Sequence, residues 1–236
     1  MKVHFSVDDT CDAFLWLSQY QKDMTSIFCQ DAFCAAKWVY EKYGIPTSFY
    51  CMGVNKMKPL SEASLDKFVE EFAESSHFMN FGFHGIDYET NYNESDEAQV
   101  LADYDSVMNE VSRITGLTEF TDTIRLHYFS GNEAICKALH EKKGINTFLC
   151  ADDERISYGL SEKNNKAVRK KGVFEDKKNQ ITYKRTDIRL ENVEDVEACI
   201  KQIKKYDEVN IFTHEMYLER PAILGTLFKI LDACTE

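Results

Sequence analysis

His4-Phe5-Ser6-Val7-Asp8-Asp9 reads as a short buried strand that closes on two acids. Three later stretches repeat the pattern of an apolar run ended by ionisable side chains. They are Phe81-Gly82-Phe83-His84-Gly85, Ile124-Arg125-Leu126-His127-Tyr128 and Asn210-Ile211-Phe212-Thr213-His214-Glu215. In a parallel α/β fold all strand ends of one polarity open on one face, so residues far apart in sequence converge in one pocket. Two carboxylates and several imidazoles in such a pocket point to a hydrolase built around a divalent metal ion.

The rest of the chain agrees with an α/β reading. Apolar residues at helical spacing predict a helix over Asp31 to Lys42 stopped by Gly44, another over Ser61 to Ala73 with Ser61 as N-cap, and a long one over Asp96 to Thr115 before Gly116. Glu133 to Lys143 with Gly144 as C-cap, Val193 to Tyr206, and Arg220 to Ala233 opening at Pro221 complete the helices. Between them lie strands at 3–7, 46–51, 78–84, 123–128, 146–151 and 208–213, with a strand-like stretch at 180–184 inside an otherwise polar segment. Six or seven strand–helix alternations imply parallel strands joined by helical crossovers. No glycine-rich phosphate loop is present, which disfavours nucleotide-binding open sheets. The expected fold is a single-domain, distorted (β/α) barrel of about seven parallel strands over residues 1–236, with a polar insertion around 161–185.

With 236 residues, 44% of them hydrophobic, the chain can bury a full core. Its net charge of −12 argues against general nucleic-acid binding, where basic surface supplies most of the affinity. Neither a secretory signal nor a run of about 18 apolar residues is visible, so a cytoplasmic protein without a membrane span is expected. The eight cysteines contain no Cys-x-x-Cys pair and read as reduced, buried thiols.

Each candidate residue has a chemical reason. Asp8 and Asp9 can divide the labour, one binding a cation and the other taking a proton from water. His84 stands at a strand end between Gly82 and Gly85 as a metal ligand. Arg125 and His127 lie two apart and share a face, and a buried arginine needs a carboxylate, for which Asp8 is the obvious partner. His214 at the last strand end can protonate a leaving group. Asp152-Asp153-Glu154-Arg155 reads either as the source of an acid that holds its imidazolium or as a solvated loop, and the His214-Glu215 pair fails as a zincin motif because Leu218 stands where a second histidine is required. Nine Lys and Arg between 163 and 185 read as a solvated segment or as a lid for an anionic substrate. Phe14, Trp16 and Tyr20 read as core, with stacking on a sugar as the sharper option.

The order of these motifs resembles the polysaccharide deacetylase superfamily, metal-dependent carbohydrate esterases that remove acetyl groups from sugars. Ser6-Val7-Asp8-Asp9 is similar to the first motif, which implies Asp8 as catalytic base and Asp9 as metal ligand. His84 resembles the first histidine of the second motif. Arg125-Leu126-His127-Tyr128 is similar to the third motif, whose arginine orients the base and whose backbone near the tyrosine helps bind the oxyanion. Asp152 or Asp153 falls at the fourth, and Thr213-His214 resembles the fifth, with His214 as general acid. Tyr128, Asp152, Asp153 and Glu215 are assigned to substrate contact. Two positions depart from the family: Tyr88 stands where a second metal histidine belongs, and His127 where a proline is usual. The third ligand is therefore open among His127, Asp87, Tyr88 and Glu89, or the metal has been lost. The resemblance implies a divalent ion, zinc foremost, with cobalt, manganese or iron as alternatives. It also implies a small-molecule or oligosaccharide substrate, acted on at an acyl C–N bond, or else an inactive sugar-binding barrel.

Overall fold

The computed structural model describes residues 1–55 and 58–235. Its first strand, β1 (Lys2–Thr10), lies between β11 (Glu208–His214) and β2 (Thr47–Met52), parallel to both. β3 (Val54–Asn55) and β4 (Lys58–Pro59) pair with each other, antiparallel, while β5 (Met79–Gly85) extends the main sheet beyond β2 and the short β10 (Ile188–Arg189) extends it beyond β11. A second sheet holds β6 (Thr123–Ile124), β7 (Thr147–Cys150) and β9 (Ile181–Arg185) in parallel, with β8 (Val173–Asp176) antiparallel on the edge of β9.

The two sheets form one ring of seven strand positions, because β9 and β10 are a single run of chain that changes sheets at Thr186–Asp187. The other junction is a single backbone bond from Thr121 N–H to the Phe81 carbonyl, 2.9 Å. There Gly82 is required by contact, since a Cβ at that position would meet Thr121 Cγ2 at 2.7 Å. The result is the expected distorted barrel, with a ladder that is not continuous around the ring.

Alternation along β1 sorts the wall. His4, Ser6 and Asp8 point inward to polar partners, while Phe5 and Val7, fully buried, lie on the opposite face. His4 Nε2 meets the Tyr50 hydroxyl at 3.1 Å, and burial together with the Arg125 charge lowers its pKa to about 3, so the ring is neutral. Outside the barrel, Phe14 on α1 (Asp12–Tyr20), Phe33 on α2 (Asp31–Tyr43), Phe72 on α3 (Val69–Ser75), and Phe49 and Phe81 on the sheet form one aromatic cluster. Their ring centroids are 5.2 to 6.5 Å apart. Burial of such rings supplies much of the apolar driving force.

The capping signals hold where they are local. α4 (Glu97–Thr115) starts at the Asp96 cap, and α5 (Glu133–Lys143) ends at Gly144, left-handed at φ 73°. Three expectations are corrected. α1 was not anticipated, and of its aromatic residues Phe14 is core whereas Trp16 and Tyr20 are exposed and lie against each other. The helix placed at Ser61 is two short 3₁₀ turns, and α-helix begins only at Val69. The polar 161–185 segment is regular structure rather than solvated chain: α6 (Glu162–Lys171), β8 and β9, the last at the strand-like 180–184 stretch and part of the barrel wall. α7 (Val196–Ile203) and α8 (Pro221–Thr235) follow. Among the described residues no helix is long and apolar enough to cross a membrane, and all eight cysteines are free thiols.

Candidate metal and acid–base centre

The C-terminal ends of β1, β5 and β11 and the segment after β6 supply one cluster. Asp8 and Asp9 reach it together because β1 carries one extra residue there. Against β2, Val7 pairs with Phe49 and Thr10 with Cys51, and Asp9 takes the left-handed conformation at φ 60°. A second irregularity sits at His84, where Phe83 pairs with Cys51 but Gly85 with the next residue, Met52. Such bulges re-aim a side chain that alternation would send elsewhere. The strand expected over 123–128 ends at Ile124. Arg125 and Leu126 lack strand pairing, and His127–Phe129 is a tight turn with Tyr128 at φ 54°.

Asp9, His84 and His127 converge. His84 Nε2 lies 3.1 Å from Asp9 Oδ1, His127 Nδ1 lies 3.3 Å from His84 Nε2, and His127 Nδ1 lies 3.5 Å from Asp9 Oδ1. His84 Nδ1 is 2.6 Å from the Arg125 carbonyl. A carbonyl can only accept, so the proton of a neutral His84 sits on Nδ1 and Nε2 offers a lone pair to the cluster. Burial keeps His127 below the usual imidazole range despite the Asp9 carboxylate, which favours its neutral form. Burial alone would raise Asp9, but His127 and His84 hold it well below the usual carboxylate range. The cluster thus brings one carboxylate oxygen and two imidazole nitrogens within 3.5 Å of one another, and among the described residues Asp9 Oδ1 and His127 Nε2 are buried without a hydrogen-bond partner. A tetrahedral ion with bonds of about 2.05 Å separates neighbouring donors by about 3.3 Å. The triangle therefore fits a divalent ion.

The other contenders for third ligand are accounted for. Asp87 Oδ1 accepts the Glu89 and Thr90 N–H groups, and Glu89 is exposed. Tyr88 stands edge-on to the His127 ring at 5.2 Å, and burial followed by the Asp9 charge raises its phenol. It walls the cluster as a neutral group.

Asp8 and His214 occupy paired positions of β1 and β11. Asp8 Oδ1 accepts from Arg125 Nη1 at 2.7 Å, both side chains almost fully buried. Arg125 also donates to the Ser6 and Thr186 hydroxyls and lies over the Phe212 ring at 4.2 Å. His214 Nε2 stands 4.0 Å from Asp9 Oδ2, and Nδ1 is held at 2.5 Å by Glu191 Oε1. Burial would lower His214, but the Glu191 bond and the charges of Asp8 and Asp9 outweigh it and raise its pKa. Glu191 in turn stays a carboxylate: burial opposes this, and His214 and the Thr213 hydroxyl prevail.

Two assignments differ from expectation. Asp152 and Asp153 do not hold His214: Asp153 is forked to Arg155 at the surface, and Asp152 Oδ1 is buried with no partner among the described residues. Glu191, on the turn after β10, takes that place. The signal for it was the alternation Ile188-Arg189-Leu190-Glu191, an apolar run ended by an acid, set inside a polar stretch. Glu215 does not face the pocket. Its oxygens accept the Cys11, Asp12 and Ala13 N–H groups at 3.2, 2.7 and 3.1 Å, capping α1 from the turn that follows β11. Tyr128 carries an exposed ring beside His127.

No protein-family model matches this sequence, and no curated protein does. Solved structures do match. A protein described as a polysaccharide deacetylase from Mycobacterium smegmatis superposes with a TM-score of 0.60 at 12% identity, over 99% of this chain and 83% of that one. A family 4 acetyl xylan esterase from Clostridium thermocellum, in complex with a cobalt ion, gives 0.54 at 11% over 99% and 83%. A family 4 pseudoenzyme from Bacillus anthracis gives 0.51 at 8% over 98% and 60%. The chain has the fold of the polysaccharide deacetylase superfamily. Identities this low establish the fold alone.

Proposed function

We propose that this protein is a metal-dependent hydrolase that removes an acyl group, acetyl foremost, from the nitrogen of an N-acylated sugar or related small molecule. The donor triangle of Asp9, His84 and His127, flanked by an arginine-held acid and a glutamate-held histidine, carries the reading. These three residues would hold the divalent ion, zinc first by their donor set. When bound, the ion lowers the pKa of water and polarises the acyl carbonyl.

Asp8, fixed by Arg125, takes the proton from the attacking water as its oxygen bonds to the acyl carbon. The negative charge then moves to the carbonyl oxygen. His214, kept protonated by Glu191, passes its Nε2 proton to the nitrogen as the C–N bond breaks, because an unprotonated amide nitrogen is a poor leaving group. The products are a carboxylic acid, which gives its proton to solvent, and a free amine. The exposed Tyr128 ring forms part of the rim against which the substrate lies, and its backbone contributes to oxyanion binding.

The test is acid release from N-acetylated amino sugars, O-acetylated sugars and simple acyl amides, by metal-loaded wild type, Asp8→Asn and His84→Ala. Turnover of acetylated amino sugars should fall by orders of magnitude in Asp8→Asn with metal content unchanged, and His84→Ala should lose both. Sugar binding without turnover under any divalent ion would instead identify an inactive barrel.

A further inference from the structure

The ring is open along one seam. β8 occupies the edge of β9 that would otherwise meet the lower half of β11, so α6 and β8 on one side and the start of β11 on the other bound a cleft. The cleft encloses about 380 Å³, within the range of small-ligand sites, and its wall includes Lys170, Lys171, Arg185 and Lys205. In a chain of net charge −12, this concentration of cations is a local reversal of sign.

The charges in the wall are not equivalent. Lys184 is paired with Glu208, and Arg185 Nε with Asp187. Lys170, Lys171 and Lys205 have no ion-pair partner among the described residues, and Asp207 is the one acid of the wall left over. Arg185 is held from three sides: Nε on Asp187 at 2.6 Å, Nη1 on the Arg169 carbonyl at 2.6 Å, and its plane over the Tyr206 ring at 4.2 Å. Its remaining nitrogen, Nη2, lies beside Gly172, where even a Cβ would be 3.9 Å away. A guanidinium fixed in this way loses little freedom when it binds an anion. Beneath it Asn210, 4% exposed, gives its amide N–H to the Arg185 carbonyl, and its Oδ1 has no partner among the described residues.

We infer that this seam is a binding site for a small phosphate-bearing molecule, separate from the metal and acid–base centre. The phosphate sits among Lys170, Lys171 and Lys205 with Arg185 Nη2 as its fixed donor, by the charge-assisted hydrogen bonds that such groups favour. The cavity leaves room for a hydroxylated carrier such as a sugar.

Calorimetric titration of the full chain at low ionic strength, with inorganic phosphate and with a hexose 6-phosphate, tests the site. Saturable binding of one molecule per chain is expected. It should weaken at least tenfold in Lys170→Ala/Lys205→Ala, both exposed positions, and in Arg185→Lys. It should persist in Lys37→Ala/Lys137→Ala, which removes the same charge elsewhere. Tighter binding of the hexose phosphate than of phosphate assigns the source to a phosphorylated sugar; equal binding assigns it to the free ion. No saturable binding of either probe, or equal weakening by both alanine pairs, overturns the proposal.

Discussion

Replacing Arg125 by methionine removes a guanidinium that is 1% exposed while keeping an unbranched apolar stem and the backbone carbonyl in place. The loss strands the Asp8 carboxylate, itself 1% exposed and otherwise 2.7 Å from Nη1. Breaking a buried ion pair from one side costs ~3–5 kcal/mol, because the remaining charge is left desolvated and unmatched. For a chain of this length each kcal/mol corresponds to about 2–4 °C in melting temperature, so a fall of about 6–20 °C is expected. Adding Asp8→Asn removes the stranded charge, and the double variant should recover ~1–3 kcal/mol relative to additivity. Urea denaturation of the four proteins measures the cycle. A cost below ~1 kcal/mol for Arg125→Met, or simple additivity, would falsify the view that this pair is a desolvated unit.

Three further outcomes follow from the geometry. A divalent ion at a hundredfold excess over its dissociation constant should add about 2.7 kcal/mol to stability, hence about 5–10 °C; chelation should reverse this, and Asp9→Ala and His127→Ala should show no shift in differential scanning calorimetry. Glu191→Gln should move the alkaline limb of the pH–rate profile to lower pH, since the Glu191 bond helps raise the His214 pKa. The stability due to that pair is complete below the ordinary histidine pKa of about 6.5 and is lost as pH rises through the raised folded value, so the variant's deficit should shrink as pH rises through that window. Glu215→Gln should cost ~1–3 kcal/mol by disturbing three backbone N–H bonds. Burial pushes the Glu215 carboxyl up to about 8 against those N–H groups, so its folded form binds more protons than the unfolded one above pH 4.5. The wild type's advantage over the variant should therefore narrow between pH 4.5 and about 8, as measured by denaturation across that range.

The residues of the centre were legible where a single strand end declared them. Asp8, Asp9, His84 and His214 each close an apolar run, and a run of that kind in an α/β chain has one open end. What alternation could not deliver was aim. Asp9 and His84 both sit on bulges, and a bulge depends on the partner strand's register, which no local pattern records. His127 was open among four contenders because its place beside His84 follows from a tight turn rather than a strand. Glu191 and Glu215 show the same limit in opposite directions. One acid looked like linker yet holds His214, and the other looked like part of the site yet caps α1 from 200 residues away in sequence. The helix at Ser61 failed because its apolar spacing is also met by successive 3₁₀ turns.

The left-handed backbone at Asp9 has an evolutionary corollary. A non-glycine residue held there costs roughly 1–3 kcal/mol, somewhat less for aspartate, and glycine would relieve most of it. Selection for foldedness alone would thus push this codon away from aspartate, in the same direction as removal of a carboxylate crowded by two imidazoles. Lineages released from the need for the centre should lose Asp9 early and keep Arg125, whose side chain ties together β1, the β9–β10 run and β11 whether or not any chemistry takes place.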